Sequence, residues 1–589
     1  VKYYIILILI ASSISFFGQD VSILEKGEKW IDYSNLNVFN RTTEYGSVRV
    51  INDLKDEKAV FAFETSIQPN FIFNHSYKVP TLKRSSKEGD TFLVTFQART
   101  IHSNIETGEA RILFILKQSN DANNGYKFNV EATPSISKDW KTYYIPLTAT
   151  KDSNEDEVKL IMQLGFPEQK FELTDFQVFV FPKGFDTSLL PQTKVTYKGM
   201  EPDAAWRIEA NERIEKIRKT DFSITFKKKN KKIENQNVQL NLIKHQFHFG
   251  AAIEATQVVN QAKHLDFIVK NFNTIVFEND LKMKAWRNLS KQETTLKAIE
   301  ILKEKGVKIK GHTLLWPGFR YLPDDFKKNE NNPKKIEELT ENFLLDILVK
   351  TNGSISHWDV TNENYSNRVL QEITGSNQLI YDAFTTTRML DPKAERFINE
   401  YGIISSGGID KIKQDWYYNY IKEIDQNTHN SIDGIGMQSH IGSDLTSPEI
   451  ILSILDRFAT LDKKISISEF TMDIPDPDIR RNYTRDFMLA AFSHPAVSEF
   501  LFWGYFEPKH PKAGLIDENF EWTEMGKAFD SLVNKEWKTS LNLTTDEKGT
   551  LYGNGFYGTY SYSVQIDQKW YSGTFNLDKG SKHYTIEID

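Results

Sequence analysis

The sequence predicts a multidomain chain built around a (β/α)8 barrel of the TIM type, with a β-sandwich of the jelly-roll kind before it and a small β extension after it. Three observations predict this. Between residues 247 and 505 eight short apolar strands alternate with longer helical stretches, the pattern of repeated β-α units. From 20 to 182 apolar residues recur at every second position between turn-rich segments. After Trp537 that two-residue period returns.

Composition narrows the class. The formal charge of −7 is mild for 589 residues, and the lysines are scattered through loops, so no nucleic-acid partner is expected. Many of the 11 Trp and 24 Tyr are simply core, but sugar-binding grooves also use aromatic faces, which match the C–H faces of sugar rings. Residues 1–18 combine Lys2 with an apolar run from Ile5 to Phe17, the shape of a secretory signal and too short for a membrane span. Cleavage near Gly18 or Gln19 and a secreted monomer, extracellular or periplasmic, are the expectation. With no Cys the domains must hold by their cores alone.

The elements follow in order. Residues 91–98, after the Gly89-Asp90 turn, and 140–147 and 171–180 alternate as half-buried strands. No group of chemistry-bearing residues stands among them. The order of segments resembles the jelly-roll carbohydrate-binding modules attached to polysaccharidases: a Gly-Asp-opened strand, Trp140-Lys141-Thr142-Tyr143, then Leu164-Gly165-Phe166 before a last strand. Residues 183–202 read as a linker. Asp203 is placed to cap a helix over 204–219, with Trp206, Ile208, Ala210, Ile214 and Ile217 as its apolar side. Strands 222–226 and 238–242 flank a lysine-rich hairpin tip.

The eight barrel strands are 247–253, 274–278, 308–316, 357–363, 396–402, 434–440, 465–470 and 499–505, with helical stretches at 293–305, 335–350, 378–390, 410–426, 448–461 and 478–493. Their C-terminal ends carry Glu278-Asn279, His312 and Trp316, Asn362-Glu363, Asn399-Glu400-Tyr401, Gln438 and His440, Glu469 and Trp503. In such barrels that rim holds the chemistry. Two carboxylates ringed by imidazole, amide and indole groups suit cleavage of a glycosidic bond, where one carboxyl must be protonated and the other ionised. His440, on the preceding strand, favours the ionised form of Glu469, which suits a nucleophile. Glu363 is then the acid/base.

At these residues the sequence resembles glycoside hydrolase family 10, the endo-1,4-β-xylanases, over 203–535. The matching pieces are Trp206-Arg207-x-Glu209-Ala210, Phe247-x-Phe249-Gly250, Glu278-Asn279-x-x-Lys282, Gly311-His312-Thr313-Leu314-x-Trp316, Trp358-Asp359-Val360-x-Asn362-Glu363, Asp433-Gly434-Ile435-Gly436-Met437-Gln438-Ser439-His440, Ile467-Ser468-Glu469 and Trp503-Gly504, in family order. The resemblance implies a retaining mechanism on xylan, with Glu363 and Glu469 roughly 5–5.5 Å apart. It implies sugar contacts from Glu278, Asn279, Lys282, His312, Trp316, Gln438 and Trp503, a bond from Asn362 to the 2-hydroxyl, and His440 orienting Glu469. No metal or organic cofactor is expected in the chemistry.

Departures fall on the rim. Met283 stands where the family has Trp, with Trp286 nearby; Pro317-Gly318-Phe319 replaces His-Ser-Gln; Tyr505 to Pro511 replaces a loop with a second Trp; Thr471 replaces Asp. Asp473, Asp476 and Asp478 read as a Pro-interrupted acidic loop rather than a calcium site. Residues 536–589 are too few for a stable domain alone, and are expected to pair with the strands in 221–245. Two other functions stay open at this point: a retaining endo-glycosidase for another β-glycan, and a catalytically silent sugar-binding barrel.

Overall fold

A computed structural model of the chain describes residues 21–588, apart from 33–40, 53–58, 80–82, 122–124, 194 and 581. The expected secretory signal lies outside the described residues. The chain divides into two compact units, one comprising 1–105 and 110–194, the other 106–109 and 195–589. Among the described residues no helix is long and apolar enough to cross a membrane.

The first unit is strand-rich. Its larger sheet centres on Thr91–Ser103, paired antiparallel with Lys141–Thr148 on one side and Gln169–Phe181 on the other. A four-stranded sheet, Ser76–Lys78, Lys159–Gln163, Leu113–Lys117 and Val130–Ala132, covers one face. Alternation does its work here: in Lys159–Gln163 only Leu160 and Met162 are buried. They join Phe96, Phe114, Tyr143 and Phe176 in one core, where Phe96 stacks on Tyr143 at 5.1 Å. Thr91–Phe96 is buried on both faces, because Leu93 packs outward against Phe181 and Leu190.

The second unit is a closed parallel barrel. Its strands are His248–Ile253, Thr274–Phe277, Lys308–Leu315, His357–Asn362, Glu395–Glu400, Gly434–Met437 continued by His440–Ile441, Lys464–Met472 and Val497–Phe502. Each pairs in parallel with its neighbours, and the first pairs with the eighth to close the ring. Strands buried on both faces need near-continuous apolar sequence, which is why these segments are visible as short hydrophobic runs. The sixth strand is broken between Met437 and His440, where Ser439 adopts a left-handed φ of 63°. Gly311 is required beside Trp358: a Cβ there would lie 2.1 Å from the indole.

The opening helix runs Ala205–Arg218 and starts at Ala204 without a side-chain cap, so Asp203 does not cap it. Ile208 is 63% exposed and does not join the buried face of Trp206, Ala210 and Ile214. The helix is fixed by Arg207, whose guanidinium donates to both oxygens of Asp486, while Tyr197 Oη donates to the same carboxylate at 2.8 Å. Beyond it, Lys219–Lys228 pairs with Thr550–Phe556 and His583–Ile588, and Asn237–His245 with Ser540–Thr544 and Gly558–Ile566. Phe222, Leu240, Tyr560 and Val564 fill the space between these two sheets and continue the barrel's core.

Charges stand in the barrel interior. Lys310 Nζ lies 3.2 Å from Glu499 Oε1 and 3.3 Å from Asp359 Oδ1, all three side chains 1% exposed. Asp359 Oδ2 is 2.9 Å from His312 Nδ1. Burial opposes ionisation of each group, but Lys310 and the histidines outweigh it, holding Asp359 below and Glu499 well below the usual carboxylate range. The two carboxylates in turn hold Lys310 above its ordinary value against the effect of burial. Lys310→Met would strand two buried negative charges. It is expected to lower unfolding free energy by about 3–5 kcal/mol, read from urea denaturation; a loss under about 1 kcal/mol would contradict this account.

Candidate active site

The site forms where the fourth, sixth and seventh strands end. Glu363 follows directly on His357–Asn362 and takes a left-handed φ of 56°, with its N–H donating to Asn399 O at 3.0 Å. That turn aims its carboxyl inward, where only 6% of the residue is exposed. Gln438 Nε2 donates to Oε1 at 3.0 Å; Trp316 Nε1 and Asn367 Nδ2 donate to Oε2 at 3.1 and 3.3 Å. Burial, followed by the carboxylates of Glu106, Glu400 and Glu469, pushes the pKa up from 4.5 to about 8 despite the Gln438 bond. Glu363 is therefore held protonated at neutral pH.

Glu469 sits within the seventh strand and is equally buried. Its surroundings differ in kind. Asn399 Nδ2 donates to Oε1 at 2.7 Å, His440 Nε2 lies 3.3 Å from Oε2, and His312 Nδ1 is 3.9 Å from Oε1. His440 Nδ1 is fixed by Thr471 Oγ1 at 2.9 Å. Burial opposes a charge on His440, but Glu106, Glu469 and Glu363 together raise its pKa above the ordinary value. One carboxylate thus has acids around it, the other an imidazole favoured in its cationic form.

Amides tie the two halves together. Asn362 Oδ1 accepts from Asn399 at 2.9 Å and from Gln438 at 3.2 Å. Its Nδ2, though buried, finds no acceptor among the described residues, and neither does Gln438 Oε1 find a donor. A buried donor and a buried acceptor are left without partners beside the two carboxyls. Asn399 was visible only as one more polar strand end, yet it bridges Asn362 and Glu469. Gly436 leaves it room, since a Cβ there would lie 2.2 Å from Asn399 Oδ1.

The aromatic residues named from the strand ends gather here too. Lys282 Nζ lies 4.8 Å from the Trp316 ring and 5.9 Å from that of Trp503, and donates to Asn279 Oδ1 at 2.9 Å. His312 meets the Trp503 ring edge-on at 5.0 Å. Glu278 pairs with His510 Nε2 at 3.0 Å, which with its own burial opposing keeps its pKa below the ordinary value. Nothing in the sequence marked His510, which arrives from the altered loop after the eighth strand.

The other departures resolve individually. Trp286 is 1% exposed and donates to Asp346 at 2.8 Å, away from the cleft. Tyr321, past the Pro317-Gly318-Phe319 replacement, stacks on Trp316 at 3.5 Å and 9°. Asp476 caps the helix Pro477–Phe492, Asp478 pairs with Arg481, and Asp473 with Lys512. Thr471, in the place of the family Asp, is the residue that positions His440.

Residues 239–531 match the family model described as glycosyl hydrolase family 10. The anti-sigma-I factor RsgI6 of Acetivibrio thermocellus is 29% identical over 408 residues, 68% of this chain and 51% of that protein. Endo-1,4-beta-xylanase 1 of Arabidopsis thaliana is 27% identical over 385 residues, 64% of this chain and 40% of that protein. The chain thus spans about half or less of these two relatives' length. Among solved structures, xylanase 10B of Thermotoga petrophila RKU-1 in complex with xylobiose is 24% identical, covering 49% of this chain and 95% of that one at a TM-score of 0.44.

The raised pKa of Glu363 has a sign in stability. A carboxyl whose folded pKa is about 8 and whose unfolded pKa is near 4.5 supports the fold fully below pH 4.5, and that support is lost as pH rises through 8. Glu363→Gln removes this dependence. Its melting temperature minus that of the wild type is expected to be near zero at pH 4.5, to grow up to about pH 8 and to level off above it. Parallel melting curves across that range would show that Glu363 titrates normally.

Proposed function

Since residues 239–531 are a glycosyl hydrolase family 10 domain, we propose that this protein is an endo-1,4-β-xylanase acting by a retaining double displacement. The observation that carries the reading is the opposed setting of two carboxyls at one barrel mouth, Glu363 held protonated and Glu469 facing His440 and Asn399. A Glu469 oxygen attacks the anomeric carbon while the Glu363 proton passes to the glycosidic oxygen, and the C–O bond to the leaving sugar breaks. The glycosyl ester consumes the Glu469 charge. That removes one of the negative charges that keep Glu363 protonated, and Glu363 then accepts a proton from water as the water attacks the same carbon and frees Glu469.

The remaining roles are those that the family resemblance implies. The unpartnered Asn362 Nδ2 is the donor for the 2-hydroxyl of the attacked sugar. Lys282, Trp316, Trp503, His312, Gln438, Asn279 and Glu278 form the glycone wall, and His440 orients Glu469. The sandwich over 20–182 is read as a carbohydrate-binding-type module, and the protein as an exported monomer. The His510–Glu278 pair and the buried Met283 favour one second reading, the same chemistry on another β-glycan.

Release of reducing ends from xylan, mixed-linkage glucan and mannan tests both readings. Wild type is expected to cut xylan best, and Glu363→Ala and Glu469→Ala each to fall by about 100-fold or more. With an activated aryl xylobioside, azide should rescue Glu469→Ala with inverted configuration and Glu363→Ala with retained configuration. The opposite pairing would exchange the roles. Equal, negligible release by all three proteins would reject an enzyme.

A further inference from the structure

At the N-terminal ends of the barrel strands, away from the two catalytic carboxyls, stands a cluster the hydrolysis does not use. His248 opens the first strand, His357 opens the fourth, and Glu499 is the third residue of the eighth. Their ligand atoms all lie within 4.8 Å of one another, and they form the one such group among the described residues. We propose that His248, His357 and Glu499 bind a first-row divalent cation of the zinc class, clasping three strands at the base of the barrel. This claim is independent of the glycosidase reading.

Hydrogen bonding selects the ligand atoms. Ser356 Oγ donates to Ile309 O at 2.8 Å, so its oxygen accepts from His357 Nδ1, also 2.8 Å away. The proton of a neutral His357 is thereby placed on Nδ1, and Nε2 presents its lone pair to Glu499 Oε2 at 2.8 Å. Two lone pairs at that distance require a positive centre between them, a second proton or a metal ion. Glu499 Oε1 is occupied by Ser466 and Lys310, which leaves Oε2 as the atom offered to both imidazoles. His248 Nδ1 lies 3.5 Å from that same oxygen.

The geometry suits the ion. Zinc bonds of about 2.0–2.2 Å in a tetrahedron place neighbouring ligands roughly 3.3–3.5 Å apart. The His248–Glu499 separation already meets this, and the His357 contact has to open by about 0.6 Å. Two imidazoles and one carboxylate favour zinc, cobalt or nickel over calcium or magnesium. The bound ion would keep a position for water, since a cavity of about 630 Å³ lined by these three residues opens beside them. Ser356 serves as the outer partner that fixes a ligating imidazole.

One group competes. Lys308 Nζ is 2.8 Å from His248 Nε2, donating to it and holding the proton on Nδ1, where the metal would bind. Lys308 is exposed at the cavity rim and can swing away, but its contact makes it a latch against the ion. Removing the latch should therefore tighten binding, which a merely structural ion-pair cluster would not do.

The test uses the full chain, untagged and stripped with EDTA, titrated with Zn²⁺ by calorimetry and with Co²⁺ by its visible d–d absorption. One equivalent per chain is expected. His248→Ala should weaken the affinity by about tenfold or more, and Lys308→Met should strengthen it by about tenfold. No uptake of either ion by wild type overturns the proposal, leaving His357 and Glu499 as a protonic ion pair. Uptake unchanged in His248→Ala overturns it as well, by placing the ion elsewhere. Should His248→Ala fail to fold by circular dichroism, an affinity unchanged in Lys308→Met is the overturning result.

Discussion

The buried ammonium of Lys310 is the contact on which the barrel interior depends. Two carboxylates, Asp359 and Glu499, are 1% exposed in the barrel interior, and Lys310 is, among the described residues, the one cation that pairs with both, His312 adding to it at Asp359 and His357 at Glu499. Being ionised, Asp359 can hold His312 by one oxygen while Lys310 holds the other. His312 in turn stands 3.9 Å from Glu469. Charge placed by one lysine thus reaches from the base of the strands to the rim, and the imidazole of His312, beside Glu469, is oriented from below. Such an arrangement contributes little net stability over an apolar filling of the same shape. What it supplies is a fixed direction for each polar group.

The rim uses the opposite strategy. Glu363 and Glu469 are similarly buried, so burial alone does not distinguish them. The difference comes from neighbours. Trp316, Gln438 and Asn367 orient Glu363 as neutral donors, whereas Glu469 faces His440 and the amide of Asn399. The bridging amides are constrained by the backbone beneath them, through Gly436 below Asn399 and the left-handed turns at Glu363 and Ser439. Residues in such backbone conformations persist where the surrounding hydrogen bonds over-determine them.

Much of this was legible before any coordinates. Parallel strands buried on both faces leave short apolar runs, and polar residues at their C-terminal ends stand out against them, which is how Glu363, Glu469, His440 and Gln438 were found. The parts that escaped share a cause: they depend on which way a side chain turns once the chain is folded. Trp286 is next to the right place in sequence, but the helical turn Met283–Trp286 directs its indole to Asp346. Tyr321 and His510 reach the cleft from loops with no periodic signature. Ile208, two residues from both Trp206 and Ala210, falls on the opposite side of the helix from the buried stripe. Asp203 had the chemistry of a cap but stands one residue too early for the helix that formed.

The small sandwich beside the barrel has a consequence in time. Apart from the short pairing of Lys227 and Lys228 with Lys231 and Lys232, Lys219–Lys228 and Asn237–His245 find their partners in strands from residue 540 on, across the whole barrel sequence. On a ribosome moving at 5–20 residues per second, they wait roughly 15–60 s for those partners to be made. Throughout that interval two strands with open edges precede a nearly complete barrel, and their apolar faces, Phe222, Ile224 and Leu240 among them, have nothing to cover them. The run of lysines between them, Lys227 to Lys232, lies where a like-charged tip discourages pairing with a second nascent chain.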